Sequence, residues 1–249
     1  MTDPVSLAGK TALVTGGAKR IGAATCLALA KAGSNVVVHY RHSAEEAKTL
    51  RGRLETAGVS AWTAQADLAE SGGADRAWEA ALRQAGHIDF LVNSASIFPT
   101  QTLTEMTPED VHRNLDVNAL APMLLCRRFA EQKREGAIVN LLDTRAFDYD
   151  RNHVPYHLSK RMLFTLTRIM AVEYAPSVRV NAVAPGLILP PEGKDQAYLE
   201  QLRETNPLHR IGSPEDVAEA VLFLLRSSFM TGQVLLVDGG RHLHGSMYG

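Results

Sequence analysis

The sequence holds a tyrosine and a lysine at a spacing that suits proton transfer. Tyr156 and Lys160 lie four residues apart in a segment with helical periodicity, so both side chains are expected on one helix face. A phenol titrates near ~10, so donating a proton at neutral pH requires its pKa to fall by about three units, or about 4 kcal/mol. A positive charge about 4 Å away supplies roughly that energy at an effective dielectric constant of about 20. The pair therefore predicts a tyrosine that acts as a general acid, with core packing of Tyr156 as the alternative.

A glycine-rich turn precedes the first helical pattern of the chain. The segment Thr15–Gly22 departs from the Gly-x-Gly-x-x-Gly dinucleotide fingerprint, but its physics is similar. Gly16 permits a tight turn, Gly22 permits close packing of helix on strand, and the helix start offers free N–H groups and about half a positive charge. Lys19 and Arg20 add full charges. The turn predicts a diphosphate-binding site, and an ordinary glycine-rich turn is the alternative.

The second apolar run indicates which dinucleotide is bound. It leads into His39–Ser43, where an NAD enzyme would carry an Asp or Glu for the ribose hydroxyls. Instead Arg41, with His42 and Ser43, stands where a 2′-phosphate would lie, and a guanidinium can hold a phosphate through two parallel hydrogen bonds. The sequence therefore predicts NADP(H) rather than NAD(H), and a solvated Arg41 is the alternative.

A parallel sheet is the element that must position these residues, because apolar runs alternate with helical patterns. Val/Ile/Leu strands between helices indicate a sheet covered on both faces, and right-handed crossovers make it doubly wound. We predict one α/β domain over residues 1–249, with about seven strands. The predicted strands are Thr11–Thr15, Asn35–Tyr40, Ser60–Ala66, Phe90–Val92, Ala137–Leu142, Val178–Val183 and Gln233–Val237. The predicted helices are Arg20–Ala32, Ser43–Ala57, Gly73–Ala85, a long helix opened by Thr107–Asp110, Tyr156–Tyr174 and Val217–Leu225.

Local signals mark helix starts and one long loop. Thr107–Asp110 and Ser213–Asp216 combine a cap residue, a proline at the first helical position and acids in the first turn. Ser43–Glu46 has the capping-box pattern. Ala184–Asp195 is rich in proline and glycine, so we expect it to be a mobile lid.

Composition excludes several classes of protein. The 249 residues are 45% hydrophobic and 21% charged, which excludes a disordered or fibrous chain. A net charge of −1 gives no bulk field for nucleic acid or anionic lipid, and no apolar run approaches the ~18 residues of a membrane span. Cys26 and Cys126 are expected as buried thiols in a reducing cytosol, with one disulfide as the alternative. With no signal-peptide pattern and no metal-binding histidine pattern, we expect a cytoplasmic protein without a metal.

Motifs spread over the whole chain resemble those of the short-chain dehydrogenase/reductases. The resemblance implies a Rossmann-like single domain, usually a homotetramer, acting on a small molecule. It implies that Tyr156 is the proton donor, that Lys160 holds the nicotinamide ribose and lowers the tyrosine pKa, and that Asn118 positions a proton-relay water. The motifs are Thr15-Gly16…Arg20-Ile21-Gly22, Asn93-Ser94-Ala95-Ser96, Asn118, Tyr156-x-x-x-Lys160, Pro185-Gly186 and Val237-Asp238-Gly239-Gly240.

Two departures from the common pattern resemble the pteridine reductases and the dihydromonapterin or dihydrofolate reductases of this fold. Asp143 stands where most members have a serine, and Arg20 replaces the middle glycine of the phosphate loop. Arg41-His42-Ser43 resembles the NADPH-binding turn of that group. Ser96-Ile97-Phe98 resembles its Ser-x-Phe motif, whose ring stacks the pterin against nicotinamide. Pro185-Gly186-Leu187 resembles its substrate-side loop.

Together these residues define the predicted site. The predicted catalytic residues are Asp143, Tyr156, Lys160 and Asn118. The predicted NADPH-binding residues are Gly16, Lys19, Arg20, Ile21, Arg41, His42, Ser43, Asp67 and Leu68 at the adenine, Asn93, Ala95, Ser96, Tyr156, Lys160, Pro185, Gly186 and Leu187. The predicted substrate-binding residues are Arg20, Ser96, Phe98, Asp143 and Tyr156.

The chemistry at position 143 favours one function over others. A carboxyl can accept from pterin amino and N–H donors or relay a proton to a ring nitrogen, so we predict an NADPH-dependent pterin reductase. The alternatives are a carbonyl reductase acting on a 3-oxoacyl group or a quinone, a member in which Asp143 marks lost or changed catalysis, and an NADPH-binding protein without turnover. Asp148, Asp150 and Arg151 are expected as solvated charges at the rim of the site.

Overall fold

The apolar runs of the sequence assemble into one parallel sheet. In the computed structural model, which describes residues 4–191 and 193–243, this sheet has seven strands in the order β3-β2-β1-β4-β5-β6-β7. The central strand β1 pairs with both β2 and β4, so the chain reverses its direction of winding there. Ligands bind outside the carboxyl ends of strands at such a point. The strands are β1 Thr11–Thr15, β2 Asn35–Tyr40, β3 Ala61–Gln65, β4 Phe90–Asn93, β5 Gly136–Leu141, β6 Val178–Pro185 and β7 Val234–Val237.

Helices cover both faces of the sheet, as the sequence predicts. The largest apolar core lies between the sheet and helices α1, α2 and α8, and the second largest lies under α3, α5 and α6. The α-helices are α1 Arg20–Lys31, α2 Ala44–Thr56, α3 Gly73–Ala85, α4 Pro108–Leu115, α5 Ala121–Glu131, α6 Val154–Glu173, α7 Gln196–Glu200 and α8 Pro214–Arg226. A π-helical turn, Asp116–Leu120, joins α4 to α5, and 3-10 turns span Thr144–Phe147, Arg203–Thr205 and Arg241–Leu243.

Two of the three predicted helix caps are confirmed. Thr107 and Ser213 each form a reciprocal capping box with the aspartate three residues later. The capping box predicted at Ser43 is wrong, because the Ser43 side chain makes no capping hydrogen bond. The Glu46 carboxylate instead contacts the Lys19 ammonium at 2.7 Å. Glu46 therefore pairs with a lysine distant in the sequence instead of capping the start of its own helix.

The boundaries of two elements around the site differ from the prediction. Strand β6 continues two residues past Val183, to Pro185, and helix α6 begins at Val154 rather than Tyr156. Pro155 lies in the first turn of α6, where its missing N–H has no helical partner to lose. Tyr156 therefore stands in the first turn of α6.

Three further features concern cysteines, metals and membranes. Cys26 and Cys126 are both buried and free, so the long-range disulfide does not form. Among residues 4–191 and 193–243, no three His, Cys, Asp or Glu side chains cluster closely enough to ligate a metal. Within the same residues, none of the helices has the length and hydrophobicity that crossing a membrane requires.

Candidate active site

The predicted proton donor and the predicted carboxylate meet in one hydrogen bond. Tyr156 is buried, and its hydroxyl donates to Asp143 Oδ2 over 2.8 Å. Asp143 follows β5 and caps the 3-10 turn, so its Oδ1 accepts from the N–H of Arg145 over 2.8 Å. Both carboxylate oxygens therefore act as acceptors, and one of them is held directly against the phenol.

Lys160 lies one turn further along α6, on the same helix face as Tyr156. Its ammonium is fully buried, donates to the carbonyl oxygen of Leu141 over 2.8 Å, and lies 5.6 Å from the centroid of the Tyr156 ring. Burial lowers the pKa of Lys160 to about 8, and the negative charge of Asp143 opposes that shift. Lys160 thus remains mostly cationic at neutral pH, close to the phenol and the carboxylate.

Asn118 holds the loop after β4 against helix α6. Its Oδ1 accepts from the N–H of Ile97 at 2.9 Å and from the hydroxyl of Ser96 at 3.1 Å. Its Nδ2 donates to the Ile97 carbonyl and to the Ser159 hydroxyl, each over 3.0 Å. Since an amide offers two donors and two acceptor lone pairs, these four bonds use the whole side chain. Only the main chain of Asn118 is left for the water-positioning role that the family resemblance implies.

Phe98 contacts Tyr156, the predicted proton donor, but a histidine occupies one face of the Phe98 ring. Phe98 packs edge-on against Tyr156 with ring centroids 4.6 Å apart. The His153 ring stacks on Phe98 at 4.0 Å with planes 14° apart, and the Arg145 guanidinium lies 4.8 Å from the Phe98 centroid. A stacked substrate therefore has at most the opposite face of Phe98 to use.

A buried ionic cluster fixes this rim, contrary to the expectation of a solvated Asp150. Asp150 is only 4% exposed, and one of its carboxylate oxygens contacts both the Arg145 guanidinium and His153 Nδ1, the latter at 2.9 Å. Burial alone would raise the pKa of Asp150, but the bond from His153 and the charge of Arg145 lower it to about 2. Asp150 and His153 are thus site residues that sequence reasoning missed, because nothing local distinguishes a buried aspartate from a solvated one.

The predicted phosphate-binding residues converge on one cleft at the carboxyl ends of β1 and β2. This cleft has a volume of about 160 Å³. Gly16 adopts a φ of +61°, and a Cβ there would lie 2.8 Å from the Cα of Ala95, so no other residue fits this turn. The lining residues are Gly16, Ala18, Lys19, Tyr40, Arg41, His42 and Ser43. A turn that needs glycine, facing two cations, suits a bound dinucleotide phosphate.

The two cations of this cleft form ion pairs that are accessible to solvent. Lys19 contacts Glu46 at 2.7 Å, and Arg41 lies 3.8 Å from Asp67, which follows β3. Exposed ion pairs of this kind are screened by water and salt and contribute little to stability, so a phosphate can replace either partner at little cost. Asp67 therefore lies beside Arg41, where the family resemblance expects the adenine end of the cofactor.

Arg20 extends from the glycine turn to the loop after β6. It has a φ of +56°, a left-handed conformation that is unfavourable for a residue with a Cβ. Its guanidinium donates to the carbonyl oxygen of Pro190 over 2.6 Å. The structure thus places Arg20 between the phosphate turn and the loop after β6, rather than against Asp143 or Tyr156.

The remaining predicted residues surround the cleft or support it. The Asn93 side chain is buried and donates to Asn140, so only its main chain could line a groove. Ala95 donates its N–H to Thr15 Oγ1 over 3.1 Å, which joins the ends of β4 and β1. Three others are apolar residues at least partly buried against the core or neighbouring loops: Ile21, Leu68 and Leu187. The loop after β6 is fixed to β7 through Pro185 and Gly186, whose N–H donates to Val237.

Comparisons with known proteins agree with this geometry. A family model described as enoyl-(acyl carrier protein) reductase matches residues 16–242. The 3beta-hydroxysteroid dehydrogenase 1 of Eggerthella lenta is 34% identical over 249 residues, covering 96% of this chain and 95% of that protein. The FolM alternative dihydrofolate reductase 1 of Brucella canis, in complex with NADP, is 32% identical with a TM-score of 0.89, covering 96% of each chain.

A third relative is named for a different class of substrate. The angucycline C-6 ketoreductase LanV, with bound NADP, is 30% identical with a TM-score of 0.90, covering 96% of this chain and 97% of its own. The NADP in both crystal structures agrees with the cofactor that the sequence predicts. The match extends over almost the whole chain and includes the seven-stranded parallel sheet. The chain therefore belongs to the short-chain dehydrogenase/reductase family of oxidoreductases.

Proposed function

We propose that this oxidoreductase uses NADPH to reduce a pterin, converting a dihydropterin or dihydrofolate to its tetrahydro form. The observation that carries the proposal is the hydrogen bond between Tyr156 and Asp143. A serine at position 143 would offer a hydroxyl to a ketone oxygen, whereas a carboxylate suits the amino and N–H donors of a pterin. The resemblance to a FolM dihydrofolate reductase supports the same substrate class.

The cofactor would lie across the carboxyl ends of β1, β2 and β4. Arg41, His42 and Ser43 would hold its 2′-phosphate, the turn at Gly16 would receive its diphosphate, and Lys160 would hold the nicotinamide ribose. When bound, NADPH supplies the hydride that reduces a ring carbon next to an imine nitrogen. The cleft lined by the glycine turn and by Arg41 has the charge that this arrangement requires.

Tyr156 would deliver the proton that accompanies reduction of the C=N bond. Its hydroxyl points at Asp143 before substrate binds, so the carboxylate fixes the direction of the O–H group. Loss of the proton leaves a phenolate beside a carboxylate, and the nearby Lys160 ammonium offsets that repulsion. A proton from solvent, relayed through a bound water and Asp143, would restore the phenol for the next turnover.

A carbonyl reductase is the second candidate function. The specific observation in its favour is that the relatives include a hydroxysteroid dehydrogenase and a ketoreductase. In that case Tyr156 would protonate an alkoxide, and Asp143 would orient the phenol without touching the substrate. His153 also covers one face of Phe98, which reduces the surface available to stack a planar substrate.

Asp143→Ser tests the two candidates against each other. For a pterin reductase, losing one charge-assisted hydrogen bond should lower kcat/KM on dihydrobiopterin or dihydrofolate by about 10–150-fold, and ketone reduction should be unchanged or higher. Phe98→Ala should also lower pterin turnover. Asp148→Ser, in the same segment but outside the Tyr156 hydrogen bond, is the control. If the wild-type enzyme reduces acetoacetyl thioesters but no pterin, the pterin proposal is wrong and the carbonyl-reductase function takes its place.

We also propose that the enzyme works as a homotetramer in the cytoplasm. Two separate surfaces carry exposed apolar side chains, one on α6 at Ile169 and Val172, and one at Phe223 and Phe229 around the end of α8. A tetramer with three two-fold axes needs two different self-complementary surfaces, which this arrangement could supply. Val172→Glu should then halve the mass measured by light scattering, and an unchanged mass would contradict this assignment of the surface.

The proposed location in the cytoplasm is supported by the two cysteines. Both are buried free thiols, which suit a reducing compartment.

A further inference from the structure

His39 lies beneath the glycine turn, although the sequence pattern assigns it only to strand β2. Its side chain is 2% exposed, and its Nδ1 accepts the N–H of Gly16 over 3.2 Å. Because Nδ1 acts as an acceptor, the ring proton must be on Nε2, which faces the carbonyl oxygen of Ala66 at 3.1 Å. One neutral imidazole thus bridges the end of β1 and the end of β3.

The main chain of the same residue adds a second bond to the turn. The carbonyl oxygen of His39 accepts the N–H of Gly17 over 2.9 Å. The N–H groups of both glycines therefore point at His39 and away from the cleft. The N–H groups at the start of α1 have no partner within the helix, and they are the ones left to face a diphosphate.

Burial keeps the His39 ring in the form that this geometry needs. It lowers the pKa of His39 to about 4, although the Ala66 carbonyl and the Asp67 charge favour the protonated ring. A protonated ring would present an N–H to the N–H of Gly16 and break the bridge. At neutral pH the imidazole is therefore an acceptor toward Gly16 and a donor toward Ala66.

We propose that His39 is a positioning residue for the dinucleotide: its neutral ring sets the direction of the Gly16 peptide and ties the diphosphate turn to the adenine end of the cleft at Ala66-Asp67. The inference rests on the proposed use of NADPH. Unlike Arg41, His39 acts on the part of the cofactor that NADPH and NADH share. Removing the His39 ring should therefore weaken the binding of NADPH and of NADH by the same factor. Arg41→Asp should weaken the binding of NADPH alone.

The test measures dissociation constants for NADPH and NADH by quenching of protein fluorescence. His39→Leu removes both ring contacts, and His39→Gln reaches Ala66 but leaves Gly16 without its acceptor. Both should raise the two dissociation constants by about tenfold, in line with one lost hydrogen bond. His39→Asn places an amide oxygen near the position of Nδ1, so it should stay within about threefold of wild type. At saturating NADPH, kcat should be unchanged in all three.

The outcomes separate this inference from the proposed function. If His39→Gln binds both cofactors as tightly as wild type, the positioning role is wrong. It is equally wrong if His39→Asn loses as much cofactor affinity as His39→Leu. A loss confined to NADPH would overturn it too, because that result would place His39 at the 2′-phosphate. If His39→Leu does not fold, the comparison of Gln with Asn decides the question. A wild-type protein that binds neither cofactor would instead refute the proposed function.

Discussion

The two ends of the cleft use charge in opposite ways. At the phosphate end, the ion pair of Lys19 with Glu46 is about half exposed on both sides. Arg41 is 38% exposed and its partner Asp67 is 26% exposed. At the substrate end, Asp150 and Lys160 are buried and bonded before any ligand arrives. Charges at the first end can exchange a protein partner for a ligand, whereas those at the second are fixed in place by folding.

The energy scales of the two ends differ accordingly. An exposed ion pair contributes about 0–1 kcal/mol, whereas removing one partner of a buried pair costs about 3–5 kcal/mol. Substitutions of the exposed charges at the phosphate end should therefore change cofactor binding and leave stability nearly unchanged. Substitutions of the buried charges at the substrate end should change turnover or stability.

The largest effect should come from Tyr156→Phe, which removes the proton donor and its bond to Asp143. We expect kcat to fall by about 10²–10⁴, the usual contribution of general acid–base catalysis. The dissociation constant for NADPH should be unchanged, because the phosphate end is intact. Tyr149→Phe, at an exposed tyrosine of the same region, is the matched control. Near-wild-type kcat in Tyr156→Phe would rule out the assigned role.

Asp150→Ala should be the most destabilising of these changes, because it leaves the partly buried Arg145 guanidinium without its carboxylate. We expect the free energy of unfolding to fall by about 3–5 kcal/mol, measured in urea. Glu55→Ala breaks the solvent-exposed contact with Arg51 on α2 and should destabilise the protein far less. Equal losses in the two variants would erase the contrast between buried and exposed pairs.

Acid should destabilise the fold through His39. The pKa of the His39 ring is about 4 in the folded protein, against about 6.5 for a free histidine, so the unfolded chain binds the proton first as pH falls. The stabilisation is complete above pH 6.5 and is lost progressively down to pH 4, by about 3 kcal/mol in total. His39→Asn should remove this contribution to the pH dependence of the free energy of unfolding. The control is His112→Asn, at an exposed histidine, which should leave that contribution unchanged. Identical unfolding curves against pH for wild type and His39→Asn would contradict a neutral, buried ring.

The smallest effect should be a change in cofactor choice by Arg41→Asp. Wild type should prefer NADPH to NADH by at least about tenfold in kcat/KM, the value of one charge-assisted bond, and the variant should lose that preference. Stability should be unchanged, because the Arg41–Asp67 pair is long and open to solvent. Arg51→Asp, on the exposed side of α2, is the control. A wild-type preference for NADH would refute the phosphate assignment.

Sequence patterns were sufficient wherever the deciding physics is local. Continuous apolar runs predict buried parallel strands, and a glycine that must adopt a positive φ marks the turn at Gly16. The four-residue spacing of Tyr156 and Lys160 predicts their shared helix face. Each of these features depends on neighbours in the chain rather than on distant packing.

Sequence patterns failed where distant segments compete for one side chain. Glu46 matched a local capping box, but Lys19 from the preceding turn takes its carboxylate. Asp150 looks like a loop charge until Arg145 and His153 enclose it. His39 reads as one more residue of a buried strand, and only the pairing of three strands shows which peptide its ring contacts.

The π-helical turn between α4 and α5 limits how this chain can evolve. The N–H of Ala121 bonds to the carbonyl oxygen of Asp116, five residues earlier, so the turn holds one residue more than an α-helical turn would. Deleting one residue there would restore a continuous α-helix, but each residue of an α-helix turns the chain by about 100°. Asn118 would then rotate out of reach of Ser96 and Ile97, and the loop after β4 would lose its anchor. A single-residue deletion in 116–120 should thus be far more damaging than one in an exposed loop.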